Sequence, residues 1–266
     1  MKDQWANMFW PSDKVKYVRN QTEWDGITVF TDECAVNEAL VKSVNSKYKI
    51  AWAFESPVIK PHLYHWHSEV HEWFDQIYIC NPKEHLNEKY HQTYFGACWV
   101  PETHCKLYDK TKQISIVASN KRQAEGHRLR HELIGANFIP ELELFGSGYK
   151  WFENTPEGRI EPFADFRYCI VIENTRYPGY FTDKIIDCFA TGTIPIYWGN
   201  PDIGNLFNRE GFYEWSDFDS LRAILEQIGV QDYESKRDAI EDNFLRFREF
   251  ASPDDWMYEN SYKELV

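Results

Sequence analysis

Residues 166–199 read FRYCIVIENTRYPGYFTDKIIDCFATGTIPIYWG and hold the densest set of side chains able to do chemistry. An apolar run ends at Ile172 and is followed at once by Glu173 and Asn174; Thr182-Asp183-Lys184 then opens a second apolar run. Thr182 is a good N-cap, Ile185, Ile186, Phe189 and Ala190 keep helical spacing, and Gly192 suits the residue just past a helix end. The pattern predicts a strand, a loop through Pro178 and Gly179, a helix, and a further strand from Thr193. A helix N-terminus presents N–H groups without helical partners and the positive end of the dipole, which suits phosphate. Lys184 lies in that first turn, where a cation opposes the dipole, so an anionic ligand would offset it. Residues 120–130 (NKRQAEGHRLR) add four cations and one carboxylate on an otherwise acidic chain. Such a patch points to a small anionic ligand rather than a polyanion.

The elements that must hold these groups show in the hydropathy pattern. Residues 27–30, 49–54 and 76–80 are short apolar runs bounded by polar residues and predict buried strands, with helical spacing over 35–44. Residues 113–118, 167–172 and 194–198 predict three more strands, and 126–135 a helix ending at glycine. Strands without polar alternation, separated by helices, belong to parallel sheets covered on both faces. Two α/β halves are expected, 1–108 and 109–266, with the seam in residues 101–112. From Asp217 the chain reads as helices, with Leu221, Ile224, Leu225 and Ile228 on one face and Ile240, Phe244 and Phe247 on another. Parallel sheets place ligands at the C-terminal edges of their strands, and two facing sheets make a cleft.

Composition narrows the class. The 266 residues carry 29 Lys+Arg against 42 Asp+Glu, a net charge of −13, which argues against nucleic acid or anionic lipid as partner. A hydrophobic content of 43% supplies a real core and excludes wholesale disorder. No run approaches the ~18 apolar residues of a membrane span, and the first thirty residues lack a signal-peptide core. Six cysteines without a CxxC pair are expected to be free thiols in a reducing compartment, with Cys169 and Cys188 as small core residues. The triplet Asn20-Gln-Thr is weak evidence for secretion. His62, His65, His67 and His71 invite a metal reading, but no HExxH pattern is present and an acceptor loop is more economical. Trp24, Trp52, Trp66, Trp73 and Trp99 are expected in the core, one or two of them free to stack on a ligand.

The 34 residues from Phe166 to Gly199 resemble the signature of the glycosyltransferase family 10 fucosyltransferases. The matching elements are Glu173-Asn174-Thr175, Tyr180, Thr182-Asp183-Lys184 and Gly192-Thr-Ile-Pro-Ile-Tyr-Trp-Gly199. Upstream, Trp52-Ala-Phe-Glu55-Ser56-Pro57 is similar to the family's acceptor-side segment, and Ser119-Asn120 with Arg128 or Arg130 to its donor-binding strand end and arginine. The resemblance implies a GT-B-like α/β fold: two facing Rossmann-like domains, a shortened acceptor-side one and a donor-binding one with the helical tail. It implies an inverting, α1,3-fucosyltransferase-like enzyme that binds GDP-fucose and a glycan acceptor and needs neither a cofactor nor a metal held by a DxD motif.

On this resemblance Glu55 is the expected general base. Lys184 and one of Arg128 and Arg130, preferably Arg130, meet the diphosphate as its charge grows. Asn174, Asp183, Tyr180, Glu173 and Ser119 complete the donor site. Asp183 stands where the family usually has Glu, which shortens its reach, and Ala53 stands where some bacterial members carry a second Glu. The absence of an anchor leads us to expect a cytoplasmic protein, or a Golgi enzyme if the chain is a truncated eukaryotic form. A transferase using another nucleotide sugar and a catalytically silent glycan-binding relative are the alternatives.

Overall fold

The apolar runs become strands of two all-parallel sheets in the computed structural model, which describes residues 9–19, 21–64, 68–85 and 87–266. The first sheet contains β1 (Glu23–Thr31), β2 (Asn45–Trp52), β3 (Gln76–Ile79) and β4 (Tyr90–Gln92), in that spatial order. Between them lie α1 (Glu38–Ser43) and the single turn α2 (Ser68–His71). The helix expected over 35–44 is shorter, because Asn37 caps it by accepting from the Leu40 N–H at 3.0 Å.

The second sheet contains β5 (Lys112–Val117), β6 (Leu142–Phe145), β7 (Phe166–Ile172), β8 (Ile194–Trp198) and β9 (Tyr213–Glu214), ordered β6-β5-β7-β8-β9. Its helices are α3 (Glu125–Ala136), α4 (Pro156–Ile160) and α5 (Asp183–Thr191). In α5 all residues from Ile185 to Thr191 are buried, so this helix is clamped between the sheet and the tail. Helix α3 continues through Gly135 and ends at Asn137, whose φ of 48° is a conformation asparagine tolerates. The tail folds as α6 (Phe218–Leu225), α7 (Val230–Ser235), α8 (Arg237–Arg246) and α9 (Pro253–Asn260).

Two chain passages join the sheets. The first, residues 93–111, is held by Asp187 of α5, whose Oδ1 accepts from the Trp99 and Val100 N–H groups at 2.7 and 3.1 Å. Lys110 anchors its far end, with Nζ 2.9–3.1 Å from the carbonyls of Phe163, Ala164 and Thr191 and from Thr193 Oγ1. The second passage is the tail, which returns across the first sheet. There Ser261 Oγ donates to Gln76 at 3.0 Å, and the Cys98 N–H donates to the Ala251 carbonyl at 2.9 Å. As a result Ile50, Trp52 and Tyr78 of the first sheet share one core with Phe181, Phe250, Trp256 and Met257.

Asp187 is fully buried, and burial pushes its carboxyl above the ordinary range while its two N–H donors pull it back. Asp187→Ala strands both donors and is expected to lower the urea-unfolding free energy by about 3 kcal/mol. Asp187→Asn keeps the acceptor oxygen and should retain most of the stability.

Candidate active site

The C-terminal edges of β5, β6 and β7 and the N-terminal ends of α3 and α5 meet at one mouth. A cleft of about 670 Å³ opens there, lined by Ser119, Arg130, Gly146, Trp151, Phe152, Arg159 and Lys184 among others. Two glycines make this packing possible. A Cβ on Gly126 would lie 1.7 Å from the Glu173 carbonyl oxygen, so only glycine lets α3 start against the end of β7. Gly146 has φ +109°, and a Cβ there would lie 2.0 Å from the Ala118 carbonyl oxygen.

Lys184 is held over the start of its own helix. Its Nζ is 3.2 Å from Glu173 Oε2 and 2.6 Å from Thr182 Oγ1. Glu173 is wholly buried; Oε1 accepts from the Thr182 N–H at 2.9 Å and Oε2 from the Thr182 hydroxyl at 2.8 Å. Thr182 thus occupies the N-cap position, yet its hydroxyl serves Glu173 rather than the helix backbone. The reason is charge: a buried carboxylate is a stronger acceptor for that hydroxyl than anything solvent offers. Glu173, expected among the site residues, does not itself line the cleft and fixes Lys184 and the helix start.

The two candidate arginines separate cleanly. Residues two apart on a helix point to nearly opposite sides. Arg130 faces the sheet, is buried, and donates from Nε to the Ile172 carbonyl at 3.0 Å and from Nη2 to the same oxygen. Arg128 is exposed, with Nη1 3.5 and 3.4 Å from the Arg122 and Gln123 carbonyls, and does not line the cleft. Burial lowers the Arg130 pKa, while Glu173, Tyr180 and Asp183 oppose that shift. His127 reports the field between these cations. Burial first, then Arg130, Lys121 and Lys184, push its imidazole down to about 4, so it stays neutral near pH 7.

Of the remaining expected residues, Ser119 and Asp183 line the cleft or a pocket behind it, and Asn174, Tyr180 and Glu55 line neither. Ser119 lines the cleft at the end of β5, and Asp183 and Lys184 line a narrower pocket behind it with Arg159 and Asp187. Tyr180 is buried within the first sheet's core, and its hydroxyl accepts from Asn174 Nδ2 at 3.3 Å. Glu55 follows β2 on the opposite lobe, its backbone carbonyl accepting from the Tyr64 hydroxyl at 2.8 Å. Burial and the neighbouring Asp32 raise its pKa, while Lys184, Lys121 and Lys60 lower it, so Glu55 feels the cations of the other lobe.

Sequence reasoning missed the wall formed by residues 146–159. Trp151 is 69% exposed and stacks on Phe152 with ring centroids 6.3 Å apart at 22°. The Arg159 guanidinium lies 4.7 Å over Trp99, and its Nε donates to Asn154 Oδ1 at 2.7 Å. No motif marks this stretch; its one cue is a tryptophan among polar residues. Among the histidines, His62 Nε2 lies 2.9 Å from Glu33, while His65 and His67 fall outside the described residues, as do Asn20 and Trp66. Among the described residues no group of three or more His, Cys, Asp or Glu is placed to hold a metal, and no helix is long and apolar enough to cross a membrane. Among the described residues the six cysteines form no disulfide; Trp52 is in the core and Trp24 is exposed.

Comparison with known proteins agrees with this arrangement. Residues 107–257 match the model of glycosyltransferase family 10 (fucosyltransferase), C-terminal part. The alpha-(1,3)-fucosyltransferase FucT of Helicobacter pylori is 37% identical over 115 residues, 43% of this chain and 23% of that protein. The matched segment therefore spans about a quarter of that relative's length. A crystal structure of an α1,3-fucosyltransferase with GDP superposes with a TM-score of 0.55 at 18% identity, covering 94% of each chain. A sucrose-phosphate synthase from Thermosynechococcus elongatus superposes with a TM-score of 0.56 at 11% identity, covering 90% of this chain and 73% of that one. These likenesses establish the fold as GT-B-like, and with more than half of its length matched to the family model the chain belongs to glycosyltransferase family 10.

Proposed function

We propose that this chain moves L-fucose from GDP-fucose to a hydroxyl of a glycan acceptor, with inversion at the transferred carbon. The observation that carries the reading is the convergence of Lys184 and Arg130 on one cleft at the edge of the second sheet, with Glu55 facing Lys184 from the first. Glu55 takes the proton of the attacking hydroxyl as the new O–C1 bond forms. The bond from C1 to the diphosphate oxygen breaks on the opposite face, and the electron pair leaves with GDP. The departing diphosphate gains negative charge, which Lys184 and Arg130 stabilise in a partly dry site. Asp183 and Asn174 serve the ribose and its neighbours, and the Trp151–Phe152 wall offers a stacking face for the base.

Calorimetric titration with GDP, GDP-fucose and other nucleotide sugars tests the donor, and GDP release with and without glycan tests the transfer. Preference for another nucleotide sugar, or glycan binding without GDP affinity, overturns the reading. Base stacking is worth about 1–3 kcal/mol, so Trp151→Ala is expected to weaken GDP binding by roughly 5- to 150-fold. The same titration reads that change.

A further inference from the structure

We propose that Asp32 is a positioning residue for the acceptor-side base: its carboxylate clasps the backbone that carries Glu55 and sets the charge that Glu55 meets. The inference rests on Glu55 acting as the base. Asp32 is the first residue after β1, and its φ of 41° is left-handed, a region that aspartate and asparagine enter more readily than other non-glycine residues. Here the contact is plain: Asp32 Oδ1 accepts from the Phe54 N–H at 2.9 Å, and the neighbouring Glu55 backbone helps to lower the proton affinity of this carboxylate. Thr31 pairs with Trp52 in the parallel register, so the contact forms at the C-terminal ends of β1 and β2.

The charges around the pair explain why it matters. Glu55 faces Asp32, Lys60 and Lys121, and across the cleft Lys184 and the Tyr180 hydroxyl. Asp32 faces Lys60 and Glu33. Lys60, which acts least on Glu55 of the three cations, forms an ion pair with Glu33, which also meets His62. Burial first, and then repulsion from Asp32, hold the Glu55 proton affinity above the ordinary carboxylate range. A base poised nearer neutrality takes a hydroxyl proton more readily.

Asp32→Asn keeps the acceptor oxygen and tolerates the left-handed backbone, but removes the charge. The acid limb of kcat/KM is expected to move to lower pH, with GDP affinity unchanged. Asp32→Ala also removes the clasp and is expected to cut kcat about tenfold or more without changing the donor KM. An unmoved acid limb in Asp32→Asn, alongside an inactive Glu55→Gln, overturns the proposal and leaves the base assignment standing. Full activity of Glu55→Gln overturns both. Should the Asp32 variants fail to fold, carbon-13 NMR titration of Glu55 in the unaltered chain decides. Titration at or below the ordinary range overturns the proposal, and titration above it supports the proposal.

Discussion

Alanine at position 184 is expected to lower kcat for fucose transfer by about 10²–10³-fold, the usual loss when one preorganised donor to a developing oxyanion is removed. Lys184 lines both the open cleft and the pocket behind it, and its side chain is 25% exposed, so a bound diphosphate would meet it while little water competes. The substitution has a second, separable effect. Glu173 would keep its two Thr182 donors but lose its direct ionic partner in a site with no solvent access. Breaking a fully buried pair costs about 3–5 kcal/mol; the partial exposure of Lys184 reduces this to roughly 1–2 kcal/mol. Adding Glu173→Gln to Lys184→Ala should restore the melting temperature without restoring turnover. Turnover that survives in Lys184→Ala with a normal melt would contradict the proposed role.

Glu55→Gln is the second large effect. The amide keeps shape and hydrogen bonding but accepts no proton, so kcat is expected to fall about 10²–10⁴-fold. GDP affinity should stay within about twofold, because the proposed donor site is lined by residues of the other sheet's lobe. The pH profile gives an independent reading of the same group. The base works only when ionised, so kcat/KM of the unaltered enzyme should rise with pH through the Glu55 pKa and then level off. Burial and Asp32 raise that pKa, so the rise lies above the range of an exposed glutamate. Residual activity of Glu55→Gln should lack this limb.

Much of this arrangement was legible in the residues. Runs such as Cys169–Ile172 have no polar alternation because both faces of β7 are covered, and that pattern identifies a central parallel strand. Thr182, Gly192 and the spacing of α5 likewise announce a helix with a defined start and end. Other features depend on distant partners. Glu173 reads as a strand-end carboxylate bound for a ligand, and only the Thr182 N–H and Lys184 explain why it turns inward. Arg128 and Arg130 carry the same charge two residues apart, and the orientation of α3 on the sheet separates them. The strand β9, two residues long, is too short to show a period. Asp32 looks like an ordinary loop acid until the Phe54 N–H is placed beside it.

The returning tail has a consequence for how the molecule is made. Trp52 and Tyr78 leave the ribosome early, but Trp256 and Met257, which cover the same apolar face, come some two hundred residues later. At ~5–20 residues per second, that face waits on the order of 10–40 s for its cover. The first sheet is thus born incomplete and open to unwanted association. The yield of folded protein should then depend on holding chaperones and translation speed more than its final stability suggests.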